Sequence, residues 1–207
     1  MLLGRNMNQT TAIRQLKELG RLGSVKKMRL AAEGWREEWQ TLIAILMSAR
    51  TRDEVTVIVA ENLFVEFPTL VELSKANPKD IARIIGPVNF FQNKTKYVIS
   101  LAGELLKQYA GKPPHELEKL ILLSGVGRKT ANVFLAEYGA DAIGVDTHVS
   151  YISQKLGWTK HTDPDKIEQD LLALFPRTCW RKLNSTLVRF GKTYQSRIEK
   201  DTLLDLI

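Results

Sequence analysis

Two side chains in this sequence have a setting that could support nucleophilic chemistry, Lys129 and Asp146. Lys129 follows the run Ser124-Gly125-Val126-Gly127-Arg128 and stands in the predicted first turn of a helix that starts around Arg128. There the helix dipole and the adjacent guanidinium both disfavour an ammonium ion. If the site also excludes water, a neutral amine is available to attack an electrophilic carbon such as C1′ of a deoxyribose. A lysine so placed also suits the plainer role of binding phosphate or facing solvent.

Asp146 lies 17 residues beyond Lys129, after one helix and the turn at Gly139. That spacing lets its carboxylate return to the mouth of the turn preceding Lys129, where it could stabilise positive charge developing on a sugar and assist the amine. The same aspartate reads equally well as the N-cap of a helix over 147–156. The two roles are compatible, because a capping carboxylate is already oriented. His148 is available to a phosphate or a base edge, although a histidine at a helix start is more often a structural hydrogen-bonding group.

Between a predicted helix ending near Leu123 and the one starting near Arg128, two glycines flank Val126. Glycine lets such a hairpin turn tightly enough for its backbone to approach a ligand. The N–H groups at and after Gly125 and Gly127 are expected to lack partners at a helix N-terminus, which suits a phosphate, with Arg128 as a reinforcing cation. Such a contact positions a nucleic acid without reading its sequence. Alone, a Gly-x-Gly turn between helices is as often only a turn.

The elements that must hold these groups read as helices throughout. Trp39, Leu42, Ile43, Leu46 and Met47 recur at i, i+3, i+4, i+7 and i+8, which predicts one core-facing stripe. Val55, Ile58, Val59 and Leu63 give a second, and Tyr97, Val98, Leu101, Leu105 and Tyr109 a third. Asn77-Pro78 and Asp163-Pro164 mark helix starts, and 86–89 and 111–114 read as turns. The fold class is all-α, with no internal repeat or flexible linker.

An apolar content of 44% supports a real core and argues against intrinsic disorder. A net charge of +7 and a pI near 9.5 suit a polyanionic partner, although charge alone is a weak signal. The single cysteine, Cys179, can form no internal disulfide and can supply no thiolate cluster by itself. His115, His148 and His161 are too dispersed for a zinc site. No run approaches the roughly 18 apolar residues of a membrane span, and the first residues lack an apolar signal core. The expectation is a soluble, monomeric, intracellular protein without membrane association, cytoplasmic and nucleoid-associated if prokaryotic.

Leu123-Ser124-Gly125-Val126-Gly127-Arg128-Lys129-Thr130-Ala131, followed by Val145-Asp146-Thr147-His148, resembles the endonuclease III family of helix-hairpin-helix DNA glycosylases. The similarity runs from about Trp39 to Lys192 and includes Leu46-Met47-Ser48-Ala49-Arg50 and the turn over 86–94. It implies two helical domains flanking a DNA-binding cleft. One would span 35–141 and end in a helix-hairpin-helix at about 117–138; the other would be built from 1–34 and 142–207.

The resemblance further implies, as partner, double-stranded DNA containing a damaged base or an abasic site. Lys129 and Asp146 would be catalytic, and Gly125, Val126, Gly127 and Arg128 would meet the DNA. A damaged nucleotide is flipped out in that family, and Arg50 and the Phe90-Phe91 region match the positions that fill the gap. Two adjacent aromatics in a turn suit a wedge, although core packing fits one of them at least as well. Arg50 could pair with the base left behind, contact a phosphate or be a solvated helix-end charge.

The activity implied is a bifunctional N-glycosylase and AP lyase that removes damaged bases, oxidised pyrimidines above all, and cuts the strand by β-elimination through a lysine Schiff base. Two alternatives remain. One is a monofunctional glycosylase for mismatched or alkylated bases, against which Lys129 argues. The other is a non-catalytic hairpin module, against which Asp146 argues.

Three departures from the family stand out. Most members carry a cysteine-held iron–sulfur cluster after the position of Lys192, where this sequence has no cysteine, so no cofactor is expected. Leu183, Leu187, Val188 and Phe190 are then expected to pack against the helix carrying Leu16 and Leu19. Ser124 replaces a usual proline, which is expected to loosen the hairpin slightly. Arg50 replaces a common glutamine, which alters the expected contact to the opposite strand.

Overall fold

The structure, a computed structural model, describes residues 7–207, so residues 1–6 of the expected second domain lie outside it. Every regular element among the described residues is a helix. The described residues form two compact units, Arg29–Glu137 and, from both sides of it, residues 7–28 with Tyr138–Ile207.

The crossings between units fall earlier than the sequence reading of 34/35 and 141/142. Arg29 explains the first. Its guanidinium donates to the carbonyls of Glu33 and Gly34, pairs with Glu61 at 2.6 Å and stacks on Trp35 at 4.2 Å, which ties 29–34 to the central unit. At the second crossing Asp141 pairs with Arg177, which ties that stretch to the other unit.

The Arg29–Glu137 unit contains α1 (Glu38–Ser48), α2 (Asp53–Glu66), α3 (Leu70–Ser74), α4 (Pro78–Ile85), α5 (Phe91–Tyr109), α6 (Leu117–Leu120) and α7 (Arg128–Glu137). Helix α1 starts at a capping box between Glu37 and Gln40 and buries Trp39 and every residue from Thr41 to Met47. It is therefore covered on all sides rather than along one stripe, with α2, α5 and α7 against it. Helix α2 turns differently from its expected stripe. Thr56, Val59, Ala60, Leu63 and Phe64 face the core, and Ile58 is 60% exposed. These buried positions keep the helical period with Thr56 as its first member; β-branched Thr56 is accommodated because its hydroxyl donates to the Arg52 carbonyl.

The second unit contains the N-terminal helix α8 (Gln9–Gly23) beside its packing partners α9 (Thr147–Lys155), α10 (Pro164–Leu174), α11 (Arg177–Thr193) and α12 (Arg197–Asp205). Leu16 and Leu19 of α8 share one core with Leu183, Leu187 and Phe190 of α11, together with Val149, Ile152, Ile167 and Leu171. Val188 is buried as well. Asp163 caps α10, with Pro164 in its first turn. The residues after Lys192 do not fit a cysteine-held cluster: they hold no cysteine and form α12.

Candidate active site and nucleic-acid interface

The hairpin is built from the backbone outward. Helix α6 is one turn long, and looser turns continue it through Leu123, whose N–H donates to the Leu120 carbonyl at 3.1 Å. Gly125 has φ +74, which favours glycine, and a Cβ there would lie 2.7 Å from Cγ of Tyr97 and 2.9 Å from Cδ1 of Leu46. Val126 is 4% exposed and anchors the turn in the core. Around Gly127 the space is open, with nothing within 4 Å of a would-be Cβ. Among the described residues the N–H groups of Gly125 and Gly127 donate to no backbone carbonyl, while the Gly127 carbonyl accepts the first bond of α7 from Ala131 at 3.0 Å. Open donors at the start of a ten-residue helix favour an anion.

Arg128 and Lys129 follow at once, both exposed, in the first turn of α7. Ser124 departs from its expectation. Its N–H donates to one oxygen of Glu104 at 2.8 Å and its hydroxyl to the other at 2.6 Å. The hairpin is thereby tied down where a loosened turn was expected.

Two further loops sit on the same pair of helices. One leaves the end of α1 and carries Arg50; the other leads into α5 and carries Phe90. Arg50 has φ +58 and Phe90 φ +60, left-handed conformations that cost a side-chain-bearing residue about 1–2 kcal/mol each. Cross-loop hydrogen bonds hold them there. The Asn89 side chain donates to the Arg50 carbonyl, and the Asn89 N–H donates to Oγ1 of Thr51 at 3.1 Å. From α5, Nζ of Lys94 donates to the carbonyls of Met47 at 2.7 Å and Ala49 at 2.6 Å, satisfying acceptors left open at the end of α1. Lys94 is 5% exposed, and that burial pushes its ammonium down to about 8. The Arg50 guanidinium rests 5.0 Å from the Phe90 ring centroid. Phe90 is 57% exposed, whereas Phe91 is half-buried as the first residue of α5.

Asp146 and His148 belong to the other unit. Asp146 is the N-cap of α9: its Oδ1 accepts the Val149 N–H at 2.9 Å, which holds a half-buried carboxylate in one orientation. The His148 ring is pressed against the α11 backbone at Gly191, where a Cβ would lie 2.2 Å from Nδ1. The hairpin, Lys129, Arg50, Phe90 and Phe91 all lie in Arg29–Glu137.

Sequence reasoning missed Asn89, Lys94 and Glu104 as positioning groups. Lys94 left a signal, since it continues the buried row of Val98, Leu101 and Leu105 along α5. Among the described residues, no helix is long and apolar enough to cross a membrane, and no group of three His, Cys, Asp or Glu could hold a metal ion.

The HhH-GPD superfamily of base excision DNA repair proteins matches residues 43–177, a span containing every candidate named above. Endonuclease III of Thermotoga maritima is 38% identical over 157 residues, covering 75% of this chain and 74% of that protein. The Synechocystis endonuclease III is 37% identical, covering 74% and 71%. Among solved structures, a non-covalent endonuclease III–DNA complex has a TM-score of 0.84 at 27% identity, over 97% of this chain and 95% of that one. A trapped endonuclease III–DNA covalent intermediate has a TM-score of 0.81 at 27% identity, over 92% and 90%. The chain therefore belongs to the HhH-GPD superfamily of base excision DNA repair proteins and shares the fold of endonuclease III.

Proposed function

We propose that this protein is a bifunctional DNA N-glycosylase and AP lyase acting on damaged bases in duplex DNA, oxidised pyrimidines above all. The observation that carries the reading is Lys129, exposed in the first turn of α7 directly behind a hairpin whose Gly125 and Gly127 N–H groups donate to no backbone carbonyl of the described residues. Bound there, a phosphate brings the neighbouring sugar to the amine. The relatives named endonuclease III support the same reading, and so does the solved structure of a trapped endonuclease III–DNA covalent intermediate that shares the fold.

The damaged nucleotide leaves the stack, with Phe90 filling its place and Arg50 facing the opposite strand. The Lys129 amine, in its neutral form, forms a bond to C1′ as the glycosidic C–N bond breaks, and the base departs with that electron pair and takes up a proton. The Asp146 carboxylate stabilises positive charge on the sugar during this step. Ring opening gives a protonated imine between Nζ and C1′. Loss of a C2′ proton then expels the 3′ phosphate by β-elimination, and water hydrolyses the imine, returning the amine and leaving an unsaturated aldehyde on the cut strand.

Borohydride reduction during turnover of a lesion-containing duplex tests the reading. The native protein should yield a covalent adduct, whereas Lys129→Ala should yield none and should release base about 10³-fold more slowly or worse. An adduct that persists in Lys129→Ala removes the assignment. Base release that leaves an intact abasic strand would replace it with a monofunctional glycosylase.

A further inference from the structure

Proline at the position of Ser124 would stiffen a hairpin through its ring and bring no N–H. Serine gives up that stiffness and adds two donors, a backbone N–H and a hydroxyl. Both are taken by one side chain, Glu104, at 2.8 Å to Oε2 and 2.6 Å to Oε1. The pairing is two-pronged, half-buried and charge-assisted, so it restrains both position and rotation of residue 124.

Glu104 acts from the helix that already supports the next residue. Tyr97, two turns earlier on α5 and about 10 Å along its axis, lies directly under Gly125. The first turns of that same helix follow Phe90 and carry Lys94. Helix α5 thus bears on the hairpin at two successive residues and on the Phe90 loop at its start.

We propose that Glu104 is a positioning residue for DNA binding, a carboxylate clamp that takes over the role of a hairpin proline by fixing Ser124 and thereby aiming the Gly125 and Gly127 N–H groups at a phosphate. The proposal rests on the reading of the hairpin as a phosphate site, and it concerns binding rather than the lyase step. The clamp is consistent with its surroundings. A carboxylate close to a phosphate site would repel DNA if left bare, but here both oxygens are occupied by donors.

A cycle of substitutions at the two positions tests the clamp, read as the affinity of the full-length protein for a fluorescent duplex holding a tetrahydrofuran abasic analogue. The analogue cannot react, so a failed lyase reading leaves this measurement intact. Glu104→Ala should weaken binding about 10-fold, the scale of one well-made contact. Glu104→Gln, which keeps one acceptor but turns a donor toward a donor, should fall between it and the native protein. Ser124→Pro in the Glu104→Ala background should recover most of the loss, because the ring restores stiffness and leaves no donor needing a partner. Ser124→Pro alone should bind less tightly than that double variant, because it leaves the carboxylate bare beside the phosphate.

Melting temperatures taken on the same samples separate folding from positioning, since a stabilising contact alone predicts no rescue of affinity in folded protein. If Glu104→Ala binds as the native protein does, or if the double variant is no better than Glu104→Ala, the clamp is overturned. Should the proline variants not fold, the order native, Glu104→Gln, Glu104→Ala decides alone, and any other order overturns it. If native protein fails to bind the analogue at all, the phosphate-site reading itself is lost, which is a distinct result.

Discussion

In the Arg29–Glu137 unit, the main chain around the candidate site is held by side chains that arrive from distant parts of the sequence. Lys94 reaches the end of α1, Asn89 reaches the Arg50 carbonyl, and Glu104 reaches Ser124. In the other unit Asp146 is held by its own helix, through the Val149 N–H three residues on. That unit uses long-range polar contacts elsewhere, where α12 lies on α9. Tyr151 donates to Asp201, Lys155 pairs with Asp205 at 2.8 Å, and Arg197 lies 5.3 Å from the Tyr151 ring. The contrast teaches where each kind of substitution should be felt. Changes to the first set should disturb the loops they hold, whereas a change to a local cap that keeps its capping bond should spare the fold.

Asp146→Asn is expected to have the largest effect. Asparagine caps a helix about as well as aspartate, so stability should change by no more than about 0.5 kcal/mol. Base release should nevertheless fall about 10²–10³-fold for want of the negative charge. Urea unfolding beside single-turnover base release checks both; a large stability loss would mean that the aspartate is chiefly architectural.

Lys94→Met should act in the opposite sense, on the fold first. It strands the Met47 and Ala49 carbonyls and should cost about 1–3 kcal/mol in urea unfolding. The pH dependence sharpens the point. Burial depresses the folded value of Lys94 to about 8, below the ordinary 10.5, so the unfolded chain binds more protons between these values. This group's contribution is therefore complete above 10.5 and is lost as pH falls through about 8. The stability of native protein relative to Lys94→Met should rise across that window, and a flat difference would show that the lysine titrates as if exposed.

The smallest effect is expected at α12. Burial, and then the Asp201 carboxylate it faces, push the Tyr151 phenol up to about 12, so it stays a neutral donor throughout the working range. Tyr151→Phe should cost about 1 kcal/mol in thermal or urea unfolding. Molar salt should weaken the surrounding exposed pairs while leaving the Lys94 contacts intact.

Helix existence and the hairpin were legible in the sequence because both are local. Gly125-Val126-Gly127 and the caps at Asn77 and Asp163 announce themselves within a few residues. The first-turn setting of Lys129 and the helix start at Asp146 follow from the same local signals. What stayed hidden depends on partners far apart in the chain. Nothing near Ser124 indicates that Glu104, 20 residues earlier, supplies its acceptors, so serine reads as a weakened proline. The pairing of Lys94 with carbonyls 45 and 47 residues away is equally invisible, although a lysine in line with an apolar row hints at it. Ile58 misled for a related reason. Its type says core, but the turn of α2 is set by which face meets its neighbours, and that face begins at Thr56.

The close approach of His148 to Gly191 gives the second unit a hidden sensitivity. The imidazole sits two residues beyond Asp146 on the same helix start, against bare backbone where α11 passes. One methyl group at position 191 would have to displace that ring, two residues from the capping carboxylate. Gly191→Ala is therefore expected to lower the stability of this unit in urea unfolding, out of proportion to the single methyl group it adds.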